Sequence, residues 1–522
     1  MSSISAQADH HPEREEPALP MKRRHFIGVA TAVALGSTGK LMAATRRAST
    51  DELHELGLAD AARAIRNGEL SSEAYVGKLL QRTREQADLK AFITIEESSV
   101  LEAARQADQS RRAGRSAPLL GVPLAVKDSY LTQGLTTTFG TSVLADFKPS
   151  GDAEAVADVK NAGAIVFGKN NLVEMSYGLT GLNEHHGQAR NPYDRSHVTG
   201  GSSSGAGASV AARLVPAALG GDTVGSIRVP ASLCGVVGFK PTQGRWPTKG
   251  VAPISDVLDT TGLLARNVED CELVDVVLTK GPGRDPNTKL GLKGVRFAYA
   301  PHQYLTGVDG EVESAFRETL RKLKDAGARI VEVDLGEDYL ALANRTTWPI
   351  FFHDTMPAVR DFLAANGVPV TFEQIYAGLG AHIKSGWSRA VLPSGPGYIS
   401  EDRYLKALNT DRLDLRRRLA AVAFAQADAL LFPTTPCAAP LVDEQWEFEV
   451  RGKRVTDVFL SSNTHPSSAA GLPGISLPMA LNSEGLPLGL EIDAATGRDR
   501  ELLTLARQVE KAIGRLPGPN GH

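Results

Sequence analysis

The sequence predicts an α/β protein, a β-sheet covered by helices on both faces. Three observations lead there. Segments patterned as strands alternate with segments patterned as amphipathic helices along most of the chain. The composition is ordinary for a globular chain, 42% hydrophobic and 22% charged over 522 residues. A Gly/Ser-rich stretch from His197 to Gly235 is flanked on both sides by apolar periodic segments. A linker there would split the α/β pattern in the middle, so the stretch belongs inside one domain.

The elements read as follows. "STDELHELGLADAARAIRNGELSSEAYVGKLLQRTREQ" is two amphipathic helices broken at Asn67-Gly68, with Thr50 and Ser71 as N-caps. "LKAFITIEE" is a strand and "SSVLEAARQADQSRRAG" a helix. "APLLGVPLAVKDSY" is an apolar strand ending on Lys127-Asp128, and "AEAVADVKNAGAIVFGKNNLVEM" is a helix, a glycine turn and a buried strand. The logic repeats from Gly291 to Leu335 in "GVRFAYAP", "GEVESAFRETLRKLKDAGA" and "RIVEVDL". From about Tyr339 to Phe424 the pattern turns helical, with aromatic clusters such as "TTWPIFFHD". "ADALLFPTTPCAAP" returns to a strand. "GLPGISLPMALNSEGLPLGLEIDA" is two strands around Asn482–Gly485, and a last amphipathic helix covers Asp499–Ile513.

The first residues are of another kind. "MSSISAQADHHPEREEPALP" is polar and expected to be disordered. Next, Arg23 and Arg24 precede an apolar run from Phe26 to about Leu35, and small residues surround Ala43-Ala44. This patterns as a twin-arginine export signal, too short for a comfortable membrane span. The other reading is a basic patch before a short buried helix. The expected organisation is a disordered N-terminus plus signal over 1–48, a single domain over 49–515 and a tail over 516–522. The expected location is the periplasm, with the cytoplasm as the alternative.

Bulk numbers exclude some functions. A formal net charge of −3 gives no basic excess for nucleic acid or an anionic membrane. Cys234, Cys271 and Cys437 are odd in number and irregularly spaced, which suits neither a disulfide framework nor a metal site. Buried free thiols are expected. "GGSSSGAG" fits neither GxxxxGK[ST] nor GxGxxG, so nucleotide binding is disfavoured.

Taken singly, Lys127 reads as a strand-end charge, Ser202, Ser203 and Ser204 as turn residues, and Ser226 as an N-cap or turn hydroxyl. Taken in order, "PLAVKD", "RNPYD", "GGSSSGAGASVAA" and "GGDTVGSIRVPASLCGVVGFKPT" resemble the amidase signature family of serine hydrolases. The 24-residue separation of Ser202 and Ser226 is the family's spacing. "DALLFPTTP" and "AGLPGISLPMALNSEGLPLGLEI" resemble its C-terminal elements, so the likeness runs from about Asp51 to Ala512. Within the family, "GLPLGLEIDAATGRDRELL" and "VAPISDVLDTTGLLARNVED" look most like indoleacetamide and mandelamide hydrolases.

The resemblance implies a mixed central β-sheet and a Ser–cis-Ser–Lys triad: Ser226 as nucleophile, Ser202 as bridging serine behind a cis peptide, Lys127 as base. Elementary chemistry agrees. A serine hydroxyl needs a base to take its proton. A lysine serves only if burial pulls its pKa down from about 10.4. The resemblance also implies an oxyanion hole from the backbone of Thr223, Val224, Gly225 and Ser226. Gly201 and Ser203 are expected to support the bend, and Asp222 and Arg228 to brace the loop as an ion pair. Val224 stands where the family usually has glycine. Either its backbone is ordinary or the hole is reshaped. His185 and His186 read as loop residues.

The expected activity is hydrolysis of small aryl or alkyl primary amides, without metal or cofactor, through an acyl-enzyme on Ser226. Trp348, Phe351 and Phe352 suit an apolar pocket wall or the core equally. A small-molecule amide is the expected partner, with no nucleic acid and no stable membrane insertion; a homodimer is compatible with the sequence. The alternatives are a C-terminal peptide amidase or a carbamate or anilide hydrolase, an amidotransferase A-type subunit, and a binding protein on a catalytically altered scaffold.

Overall fold

A mixed sheet organises the chain. In the computed structural model, which describes residues 50–282 and 291–519, eleven strands form one sheet. In chain order the described strands are β1 Phe92–Thr94, β2 Pro123–Lys127, β3 Ile165–Asn170, β4 Ala217–Asp222, β5 Val237–Lys240, β6 Thr260–Ala265, β7 Arg296–Tyr299, β8 Arg329–Glu332, β9 Ala429–Pro433, β10 Glu447–Val450, β11 Lys453–Thr456, β12 Gly474–Leu481 and β13 Pro487–Asp493. β10 and β11 form a separate hairpin; the sheet runs β1-β3-β2-β4-β6-β5-β12-β13-β9-β7-β8. The β3-β2-β4 and β9-β7-β8 groups are parallel, and the ladders between them are antiparallel.

Both faces of the sheet are covered. Successive strand residues point to opposite faces, yet every residue of β2, β6, β9 and β13 is buried. Helices Ser204–Ala211, Arg228–Cys234, Val268–Thr279, Gly310–Asp325 and Asp499–Ile513 pack on these strands. The strands and helices read from periodicity all form, several shorter than their apolar runs.

One capping assignment is corrected. Thr50–Glu55 is a separate 3₁₀ turn, and the first α-helix runs Leu58–Asn67, so Thr50 does not cap it. The break falls at Gly57, where a Cβ would collide with the Asn267 and Asp270 side chains. Asp270 Oδ1 accepts the Ala59 amide at 2.8 Å and takes the capping role. Ser71 does cap Ser72–Glu85, accepting the Ala74 amide at 3.3 Å.

The helical region opens with Tyr339–Ala365 and continues through shorter helices to Phe424. Tyr339, Leu342 and Ala343 anchor it against Leu430 and Phe432 of β9. All three cysteines are buried free thiols. No described helix is long and apolar enough to cross a membrane. The segment read as an export signal lies outside the described residues.

Candidate active site

β2 and β4 lie side by side and parallel, with Val126 opposite Leu219. Their carboxyl ends, Lys127 and Asp222, therefore share one edge of the sheet, where open α/β sheets carry their sites. From Asp222 the chain passes through Thr223–Ile227 into the helix Arg228–Cys234. The peptide entering Ser202 comes just before the helix Ser204–Ala211. Small residues let these pieces meet. A Cβ at Gly205 would run into the Ala91 carbonyl, and one at Gly225 into the Thr464 side chain. Gly225 also has φ +141°, in the region that favours glycine.

Lys127 is 1% exposed, and its Nζ donates to Ser202 Oγ at 2.7 Å. Burial, opposed by the Asp259 and Asp222 carboxylates, lowers its pKa to about 7. The Gly201–Ser202 peptide is cis. Ser203 Oγ sits against the Gly221 backbone, donating to its carbonyl at 3.2 Å, and the Ser203 amide donates to the Ser226 carbonyl at 3.2 Å. These bonds dock the Ser202–Ser203 segment beside the Thr223–Ser226 loop. Ser226 Oγ is hydrogen-bonded to no described residue, so the link between Ser202 and Ser226 is not closed. Contacts of this kind tighten when the reacting centre is in place.

The amides of Thr223, Val224, Gly225 and Ser226 donate to no acceptor among the described residues, though all four residues are buried. Buried amides left unpaired are unusual, and here four stand in a row ending at Ser226. Three of their carbonyls are engaged instead. Val224 O accepts Thr464 Oγ1–H at 2.7 Å, and Gly225 O accepts the Val229 amide at 2.7 Å. Val224 itself lies outside the positive-φ region, so this position does not need glycine for its φ. Its side chain packs with Ile254, Leu258, Ile350 and Phe351, joining the loop to the helical region. Tyr177, Trp348 and Phe352 border that cluster. Ring centroids lie 4.8 Å apart for Tyr177–Phe351 and 5.7 Å for Trp348–Phe351.

Asp222 and Arg228 form the expected brace, bidentate with both contacts at 3.0 Å and both side chains inaccessible. Asp222 Oδ2 also accepts the Ile227 amide at 3.2 Å, capping the following helix. Burial alone would push the Asp222 carboxyl up, but Arg228 holds it below the ordinary value. Arg228 reaches Glu491 at 3.2 Å, Ser467 at 2.8 Å, Ser468 at 2.6 Å and the Thr464 carbonyl at 3.1 Å. His185 and His186 stay in a loop: His185 Nε2 lies 3.1 Å from Glu174, and His186 Nε2 lies 3.3 Å from Thr138.

Sequence reasoning missed Thr464, Asp259 and Glu491. Glu491 had a signal: with Asp493 it puts two acids on one face of an otherwise apolar strand, which demands a buried cation. Thr464 and Asp259 had none.

A buried lysine on a serine hydroxyl at the edge of a mixed sheet, with a loop of four unpaired amides docked against the same serine segment, is an arrangement suited to acyl transfer. The comparisons agree. The chain matches the model of the Amidase family over residues 74–503. It is 35% identical to a mandelamide hydrolase of Pseudomonas putida, covering 90% of this chain and 94% of that one. It is also 35% identical to the A-type subunit of a glutamyl-tRNA(Gln) amidotransferase from Desulforapulum autotrophicum, covering 90% and 100%. It is 32% identical to an indoleacetamide hydrolase of Allorhizobium ampelinum, covering 86% and 96%. The structure of a peptide amidase from Stenotrophomonas maltophilia superposes with a TM-score of 0.72 at 30% identity, covering 89% and 98%. The chain belongs to the Amidase family and hydrolyses amide bonds.

Proposed function

We propose that Ser226 is the nucleophile, Ser202 the bridging hydroxyl and Lys127 the base. The observation that carries this is the 2.7 Å contact between Ser202 and a lysine that burial brings to about 7. With Lys127 neutral, the same contact lets Ser202 donate to Nζ. Ser226 then gives its proton to Ser202 as its Oγ attacks the carboxamide carbon. The carbonyl oxygen gathers charge against the free amides of the Thr223–Ser226 loop. Lys127 returns the proton through Ser202 to the leaving nitrogen, the C–N bond breaks, and ammonia or an amine departs. Water attacks the acyl-enzyme by the same relay and releases the acid.

The substrate class we propose is small aryl or alkyl primary amides. Tyr177, Trp348, Phe351 and Phe352 stand beside Val224, which supplies aromatic surface next to the loop. Identity alone does not separate this reading from an amidotransferase role, since the two relatives are equally similar. Ammonia release from a panel of arylacetamides, alkylamides, peptide amides and anilides tests it, with Ser226→Ala alongside. Turnover by wild type and none by Ser226→Ala is expected; equal turnover by both would sink the mechanism. Arg23-Arg24 before an apolar run supports export by the twin-arginine route. Changing both to lysine should trap the protein inside the cell, and unchanged export would rule that route out.

A further inference from the structure

Asp259 stands just before β6, apart from the three residues assigned above, and is partly buried beside Lys127. Its Oδ1 accepts the Thr223 hydroxyl at 2.7 Å. Its Oδ2 accepts the Ile254 amide at 2.8 Å and the Ser255 amide at 3.2 Å. Ser255 Oγ in turn donates to Asp354 Oδ2 at 2.5 Å, on the helix Tyr339–Ala365. A chain of polar contacts thus runs from the helical region through Asp259 to the first residue of the nucleophile loop.

Asp259 also shares a cavity of about 60 Å³ with Lys127, Thr223, Asp256 and Thr260. That is room for water between the carboxylate and the lysine. The charged groups facing Lys127 are Asp259 and, from β4, Asp222. Asp222 is engaged by Arg228. Asp128, next in sequence, is bound to Lys169 at 3.1 Å. Asp259 itself is faced by Asp256 and by no cation within ion-pairing distance among the described residues.

We propose that Asp259 is a positioning residue with two effects: its carboxylate fixes Thr223 and so the oxyanion loop, and its charge sets how readily Lys127 gives up its proton. The proposal rests on the Ser226–Ser202–Lys127 assignment. Burial pushes the Asp259 carboxyl up to about 6, so it is ionised where Lys127 begins to lose its proton. Removing that charge lowers the Lys127 pKa further, because a nearby carboxylate favours the ammonium.

The test is the pH dependence of Ser226 labelling by a fluorophosphonate on the full chain. It reads Lys127 ionisation whatever the natural amide is. Asp259→Asn keeps the shape and can still bond Thr223. It should move the acid limb of the labelling rate down by roughly half a pH unit to one unit. Thr223→Val keeps the charge and cuts the tether. It should slow labelling about tenfold with the limb where wild type has it. A limb that stays put in Asp259→Asn overturns the electrostatic role. If that variant does not fold, Thr223→Val decides alone, and a rate within about twofold of wild type overturns the tether. Should wild type itself not label at Ser226, the assignment falls first and Asp259 with it.

Discussion

Two buried cations stand at one edge of the sheet and are treated in opposite ways. Lys127 ends β2 and Arg228 opens the helix after β4; neither reaches solvent. Arg228 has two carboxylates, two hydroxyls and a carbonyl around its guanidinium. It is held charged, well above its already high ordinary pKa. Lys127 has one hydroxyl at hydrogen-bond distance and two carboxylates that act only at longer range. Burial therefore wins and brings it to about 7. The difference teaches what each is for. A saturated guanidinium cannot exchange a proton and can only brace. An under-paired ammonium can give up its proton, as the proposed base must.

The sharpest way to break this comparison is Lys127→Met. Activity should fall by about 10⁴-fold or more, as when one member of a catalytic unit is lost. Stability should move the other way. The folded pKa lies below the unfolded one, so the unfolded chain binds the proton more avidly between about 7 and 10.5. The resulting deficit of wild type is full below about pH 7 and fades as pH rises toward 10.5. Lys127→Met should thus gain more in urea midpoint at pH 6 than at pH 10. The wild-type kcat/KM should rise through about pH 7 as the lysine deprotonates. A variant less stable than wild type at pH 6 would show Lys127 to be a structural cation after all.

Arg228→Met probes the other side. Removing one partner of a buried ion pair leaves charges uncompensated and costs about 3–5 kcal/mol. Asp222, Glu491 and Asp493 are the groups stranded; burial already pushes Asp493 up to about 6. Urea unfolding should show the loss, and activity should fall with it because Asp222, which holds the Ile227 amide, loses the guanidinium that fixes its carboxylate. A stable but inactive variant would place Arg228 in the chemistry and erase the contrast with Lys127.

How much of this was legible in the sequence follows from the same contrast. Lys127, Ser202 and Ser226 were legible as a set because their order and spacing survive in one dimension, and the structure brings Lys127 onto Ser202. The amphipathic helices Leu58–Asn67, Gly310–Asp325 and Asp499–Ile513 were legible because each must bury one stripe. The Ser204–Ala211 helix and strand β4 carry no such pattern: they are buried nearly all round and made largely of Gly, Ala and Ser, so periodicity is silent there. The brace was half visible, as Asp222 and Arg228 are near neighbours. Its remaining partners, Ser467, Ser468 and Glu491, lie more than 200 residues away and meet Arg228 only through the sheet. Thr464 and Asp259 bond the loop from equally unmarked positions.

Val224 is where sequence reasoning raised a question and the structure answers it, and it carries the smallest expected effect. The valine is not forced into the positive-φ region that favours glycine. It acts through its side chain, 4% exposed among Ile254, Leu258, Ile350 and Phe351. Val224→Gly removes that wedge and frees the backbone, at a cost of about 2 kcal/mol in stability. The amide N–H stays, so the proposed oxyanion hole keeps its donors. The space opened beside Phe351 should favour bulkier acyl groups. We expect the ratio of kcat/KM for an arylacetamide over acetamide to rise several-fold, with acetamide turnover changed by less than about threefold. A fall of equal size for every amide would instead mean that the valine stiffens the loop, and that selectivity lies with the aromatic residues of the helical region alone.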